Sequence, residues 1–262
     1  MDPVSILVVA FCALLGLACG SFANVVIHRV PVGGSFVRPP SACPTCDTPI
    51  APRDNVPLVS WLLLRGQCRQ CQMPISARYP LVEVATAVLF ALVGAAIGLD
   101  WALPGFLLFA WLLLVVAVVD LETRKIPNRL TYPLTPALAV LLVGAALLNG
   151  DPGQAVRVLL GGVAGFVALL LLALISPRGM GMGDVKLAGF IGLGLGYLSW
   201  WHVLFGLFGA FFVGGVIGIV LLVTRLRTRR DQIPFGPYLS LAAIVTLVFG
   251  EPLIAPYQRL FG

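Results

Sequence analysis

Long apolar runs alternate with short polar breaks along almost the whole chain. Eight of them approach or reach the roughly 17–25 residues that cross a ~30 Å hydrocarbon core. They cover residues 4–27, 80–99, 101–120, 132–149, 154–175, 185–200, 202–224 and 237–255, the sixth being the shortest. The pattern predicts an all-α polytopic membrane protein with about eight transmembrane helices. One polar stretch is long enough for a small subdomain, so the chain divides into a first transmembrane helix (1–28), a loop domain (29–79) and a seven-helix membrane domain (80–262).

Composition agrees. Hydrophobic residues make up 59% of the 262, charged residues 11%, and the mean hydropathy is +1.00, against about 25% charged residues in a soluble domain. The first run follows Met1-Asp2-Pro3 without a basic n-region, so it reads as a retained helix and not a cleaved signal. Cys19 in "GLACG" reads as a packing cysteine, as does Cys12.

Charge then orients the chain, because Lys and Arg near span ends stay cytoplasmic. If the loops alternate, one side holds all of the 17 basic residues except Arg157 and Arg259. That side is the cytoplasm, and both termini face out. The net charge of +6 is thereby a topology signal, with anionic lipid as its secondary partner. No nucleic-acid partner is needed to explain it.

Within the loop, "CPTC" (Cys43, Cys46) and "CRQC" (Cys68, Cys71) are two C-x2-C knuckles separated by 21 residues. Such a pair suits a four-thiolate tetrahedral zinc site with no open position, which folds a loop and does no chemistry. Disulfides and free thiols are the alternatives, and a reducing cytoplasm disfavours the first. Elsewhere, Gly161-x-x-x-Gly165 and Gly214-x-x-x-Gly218 predict close helix packing in lipid.

Two acids stand apart from the loops. Asp120 ends the third run, which heads inward, and Asp184 opens the sixth, which heads outward, so both lie at one cytoplasmic depth. Ionisable groups at a membrane boundary are costly and point to function. The plain readings are a helix N-cap for Asp184 and an interfacial acid paired with Arg124 or Lys125 for Asp120. Together, the two fit acid/base peptide hydrolysis, in which like charges share one proton. Helix dipoles favour Asp184 as the ionised base and Asp120 as the protonated acid.

The glycines before Asp184 (Gly179, Gly181, Gly183) do not form a phosphate loop, since no strand precedes them. Their freedom suits an irregular segment that lets a substrate backbone approach the carboxylate.

These residues resemble the type IV prepilin peptidases, membrane aspartic proteases of the GxGD type. The signature is Gly181-Met182-Gly183-Asp184, followed by Val185-Lys186, and the first aspartate is Asp120 in "VVDLETRKIPN". Further matching stretches are "GSFANVVIHRVP", "SACPTC", "LVSWLLLRGQCRQC", "ISARYPLVE" and "IPFGPYL". The resemblance implies cleavage of the basic leader of prepilins and pseudopilins after a glycine, at the cytoplasmic face. Members with the four-cysteine loop are bifunctional, which implies N-methylation of the new terminus with S-adenosylmethionine. Glu83, Arg29 and His28 are polar contributors under this reading, or an interfacial ion pair. The alternatives are a peptidase without methyl transfer and a transporter relaying protons through the two aspartates.

Overall fold

The computed structural model describes residues 2–175, 180–224 and 234–261, and these are helical outside one loop region. Arg178, Gly179, Arg225, Arg227, Arg229, Arg230 and Ile233 lie outside the described residues. Two compact units are present, Met1–Leu99 and Asp100–Gly262.

The first unit contains α1 (Pro3–Arg29), the short α2 (Val59–Leu63) and α3 (Arg78–Ile97). Asp2 accepts the Ser5 N–H at 3.1 Å and Pro3 follows in the first turn, so α1 starts with a capped end and no wasted donor. The helices α1 and α3 run antiparallel along small residues: Gly16 lies against Ala87, Gly20 against Glu83, and Gly94 against Cys12. A Cβ on Gly16 or Gly20 would stand 2.6 Å from the Cα of Ala87 or Glu83. Backbone contact of that kind is the packing expected between helices in lipid. Cys12 is buried in this seam, as expected for a packing cysteine.

The second unit holds α4 (Leu103–Thr123), α5 (Asn128–Leu148), α6 (Pro152–Ile175), α7 (Met182–Leu198), α8 (Trp200–Val223) and α9 (Gly236–Phe261). Its centre is α4, whose Phe106, Phe109, Leu112, Leu113, Val115, Val116 and Val119 are buried on all sides. Helix α7 is enclosed as completely, from Leu187 to Tyr197. Its glycines permit this. Gly161 and Gly165 of α6 press on the backbone of Gly192 and Ala188, and the Phe109 ring fills the space beside Gly194. Phe109 also stacks on Phe190 with centroids 5.4 Å apart. The close packing expected at Gly214 and Gly218 is built only at the first: Gly214 meets Tyr238 and Phe235, whereas among the described residues nothing lies within 4 Å of a Cβ at Gly218.

Each of the eight apolar runs forms a helix. Among the described residues, seven helices are long and apolar enough to cross a membrane. The exception is α7, whose 17 residues extend about 25 Å. Its far end is clamped by Arg157, whose guanidinium donates to the carbonyls of Gly196 and Tyr197 at 2.9 Å each and of Leu198 at 3.4 Å. A cation on the last free carbonyls of a helix is favoured by both hydrogen bonding and the dipole.

Candidate active site

Three helix ends converge in the second unit. The first is the last turn of α4, where Asp120 is buried. The helix stops at Arg124, which takes a left-handed φ of 54° and returns its N–H to the Asp120 carbonyl at 2.9 Å. The chain then turns through Ile126 and Pro127 into α5.

The second is the start of α7. Its N-cap is Gly181, in extended conformation, and Asp184 is the third helical residue. The Asp184 Oδ2 accepts the Gly181 N–H at 3.2 Å, which is half of a capping box. Asp184 is therefore not the N-cap that its place in the sequence suggests. It satisfies the cap residue from inside the helix.

The third is the start of α9. The Gly236 N–H donates to Asp120 Oδ2 at 3.1 Å, a buried bond across 116 residues. Among the described residues this main-chain donor, and not Arg124 or Lys125, is the Asp120 partner. A Cβ at Gly236 would lie 2.7 Å from that oxygen. One consequence concerns the division of labour expected from dipoles. Asp120 does end α4, but its carboxylate faces the N-terminus of α9, so both acids sit at positive helix ends. The dipole argument no longer separates base from acid.

Ile126 ties these ends together. Its Cβ would be 3.0 Å from a Cβ on Gly183, and its Cδ1 3.3 Å from one on Gly236. Lys186 turns elsewhere: its ammonium donates to Asn128 Oδ1 at 3.0 Å and to the Tyr132 hydroxyl at 2.8 Å, both on α5. Gly236, Ile126, Asn128 and Tyr132 were not singled out as site residues from the sequence. Gly236 lay in the matching stretch "IPFGPYL" and Ile126 and Asn128 in "VVDLETRKIPN", each as a match without a role, and Tyr132 carried no signal.

In the first unit the two knuckles are built alike. In each, the first cysteine N–H bonds the carbonyl five residues on, Thr48 or Met73, at 3.0 and 2.9 Å. The residue after the second cysteine, Asp47 or Gln72, takes a positive φ and donates back to the first cysteine carbonyl. All six cysteines are free, and the sulfurs of Cys43, Cys46, Cys68 and Cys71 lie within 4.8 Å of one another. The Cys43–Cys71 separation is 3.8 Å, the edge of a tetrahedron with ~2.3 Å metal–sulfur bonds. These four sulfurs could hold a metal ion.

The acidities of three of the four fit that use. Main-chain N–H groups of Thr45 and Cys46 pull the Cys43 thiol down, those of Cys71 and Gln70 pull Cys68 down, and the Thr48 hydroxyl does the same for Cys46. Cys71 is pushed up to about 12: the Met73 N–H opposes the rise, but burial and the three neighbouring sulfurs outweigh it.

Other polar residues of this unit are used internally. Glu83 is buried, with Oε2 accepting the Leu58 N–H at 2.6 Å. Arg29 donates to the carbonyls of Ser35, Pro39 and Pro40. The expected interfacial ion pair is replaced by contacts that fold the loop.

Comparison with known proteins covers both units. Residues 14–97 match the bacterial peptidase A24 N-terminal domain, and residues 107–219 match the type IV leader peptidase family. The chain is 36% identical to a prepilin leader peptidase/N-methyltransferase of Aeromonas hydrophila, over 95% of this chain and 93% of the relative. To proteins of the same description it is 36% identical in Stutzerimonas stutzeri, over 99% of both chains, and 33% identical in Bacillus subtilis, over 94% and 96%. No solved structure matches it.

Proposed function

The chain belongs to the type IV leader peptidase family, and from that premise we propose that it removes the leader peptide of type IV prepilins and pseudopilins and N-methylates the new terminus. The observation that carries the cleavage reading is the meeting of Asp120 and Asp184 around Ile126, at the ends of α4, α7 and α9.

Hydrolysis by this pair needs one shared proton. The ionised carboxylate takes a proton from water as its oxygen attacks the scissile carbonyl, and the protonated one gives its proton to the carbonyl oxygen. The resulting gem-diol then collapses: the C–N bond breaks, the leaving amine takes the proton from the carboxyl that accepted the water proton, and the other carboxylate takes back a hydroxyl proton as the new carboxyl group forms, which restores the shared proton. Gly236 and Gly181 each occupy Oδ2 of one acid, which leaves the Oδ1 atoms for water and the shared proton. Gly181 and Gly183 put no side chain between Asp184 and an incoming peptide backbone. Lys186, tied to α5, fixes the first turn of α7.

The basic-residue skew supports placing this site at the cytoplasmic face of the inner membrane with both termini outside. A substrate whose basic leader stays cytoplasmic then offers its scissile bond at the same depth. The loop 29–79 serves methyl transfer and 80–262 proteolysis, a functional division distinct from the compact units. Cys43, Cys46, Cys68 and Cys71 hold a structural zinc ion, which folds the loop and leaves no open coordination site. S-adenosylmethionine supplies the methyl group. Among the described residues of 1–99 no glycine-rich turn between a strand and a helix marks its seat, so no residue is assigned to it.

The test is co-expression of a prepilin with wild type, Asp120→Asn or Asp184→Asn, with the pilin read by mass. Wild type yields cleaved and methylated pilin, and either variant yields full-length prepilin. Processing retained in both variants would sink the dyad, and a cleaved but unmethylated product from wild type would remove the second activity.

A further inference from the structure

The segment "LVSWLLL" (Leu58–Leu64) belongs by sequence to a polar loop, yet six of its seven residues are apolar. Its position is fixed by the bond from the Leu58 N–H to Glu83. Glu83 lies five residues inside α3 from Arg78, about 7–8 Å along the axis. It faces Gly20 of α1, which is farther still from the end of its own helix at Arg29. The start of α2 is thus held beside the two spans, below their loop ends.

The inward side chains of α2 are committed to the loop. Ser60 accepts the Val56 N–H and donates to the Arg53 carbonyl, and the Trp61 indole N–H donates to the Ile75 carbonyl while its ring covers Gly66. The other face is bare: Val59, Leu62 and Leu63 are 49%, 57% and 77% exposed. Leu81, near the same end of α3, is 66% exposed and continues the apolar surface of the spans. Exposed Arg53 and Arg65 bracket the segment.

We infer that Val59, Leu62 and Leu63 insert into the acyl region of the cytoplasmic leaflet, so that α2 is an interfacial anchor tying the four-cysteine loop to an anionic lipid surface. The apolar face at span depth and the flanking arginines are the two signals that such an anchor needs. Glu83 is the latch that sets its depth. This reading rests on the membrane assignment of the chain and is independent of the aspartate dyad.

The experiment places the photoreactive residue p-benzoylphenylalanine at Leu63 of the full-length protein in phosphatidylethanolamine/phosphatidylglycerol vesicles. Leu7, a 69% exposed residue of α1, is the lipid-facing reference, and Thr45, exposed in the first knuckle, is the polar reference. Only protein with wild-type circular dichroism is scored. Phospholipid adducts at Leu63 as abundant as those at Leu7, and scarce at Thr45, are expected. A peptide adduct from residues 100–262, from a second copy or from added prepilin, or the lack of any adduct at Leu63, overturns it.

Discussion

The amide of Gly236 points at Oδ2 of Asp120 from 3.1 Å, joining the first turn of α9 to the last turn of α4. The donor is available because the first N–H groups of a helix have no intrahelical partner. It reaches the acid because glycine carries no Cβ, which would stand 2.7 Å from the oxygen. Gly236→Ala is therefore expected to push Asp120 off its donor. Losing a hydrogen bond to a charged group costs ~1.5–3 kcal/mol, about 10- to 150-fold if felt in the reaction. Steady-state cleavage of a prepilin peptide should show the loss in kcat, with KM little changed. Equal activity in the variant would deny Gly236 a positioning role.

The cysteine cluster gives a second expectation. Replacing Cys43 or Cys68 with Ser should abolish metal binding by the cluster, read as loss of the metal's mass in native spectra. Structural zinc in small domains contributes an apparent ~10–16 kcal/mol, so the loop at 41–75 should become a protease target. Metal retained at the wild-type level in both variants would contradict a four-sulfur site.

Much of this was legible in the sequence, and the limits are physical. Apolar runs reported the eight long helices because a span must be long and greasy whatever packs on it. The knuckles were legible because both ligands of each half come from one turn. Convergence at Asp120 was not, since its donor is a backbone N–H 116 residues away and a backbone donor leaves no residue type to read. The cap at α7 was misplaced by three positions for a related reason: Asp184 satisfies Gly181 from within the helix, and sequence shows the acid but not which way it reaches. Gly214 and Gly218 matched a packing motif, yet whether a glycine pair meets a partner depends on neighbours that spacing does not specify.

Acid should loosen the loop through Asp54. Arg69 holds it by two bonds, Nε to Oδ2 at 2.9 Å and a terminal nitrogen to Oδ1 at 2.7 Å, and these keep its carboxyl below the usual range. A folded-state value below the unfolded one means stabilisation that is complete above the ordinary carboxylate range and fades as pH falls through the lowered value. Protection of amides 54–70, relative to their intrinsic exchange rates, should fall across that acidic window in wild type. In Asp54→Asn it should already be lower at neutral pH, and a variant with wild-type protection at both pH values would exclude the linkage.

At the far end of α7, Arg157→Met removes the donors to three terminal carbonyls. Hydrogen bonds from a charged group contribute about 1.5–3 kcal/mol each at most, and part of the loss is recovered by water. A fall of several degrees in the thermal midpoint of detergent-purified protein is expected, with prepilin cleavage near normal at low temperature. An unchanged midpoint would show that the clamp contributes nothing.

The last expectation concerns Lys186, two residues beyond Asp184. Its ammonium bridges Asn128 Oδ1 and the Tyr132 hydroxyl and lies 4.7 Å from the Tyr132 ring centroid. These contacts tie the first turn of α7 to the first turns of α5, and so set where Asp184 stands beside Ile126 and Asp120. Tyr132→Phe keeps the ring and loses only the hydroxyl, so a fall of about 3- to 10-fold in kcat is expected, the range for one modest hydrogen bond. Lys186→Met loses both bonds and the charge, and should fall further. Lys186→Arg should rescue little, because a planar fork does not replace a compact ammonium between two fixed acceptors. Asn128→Ala adds the discriminating case: if Lys186 acts by positioning, the Asn128→Ala and Lys186→Met losses should not add, since both break one tether. Additive losses would instead assign Lys186 a contact of its own with the substrate.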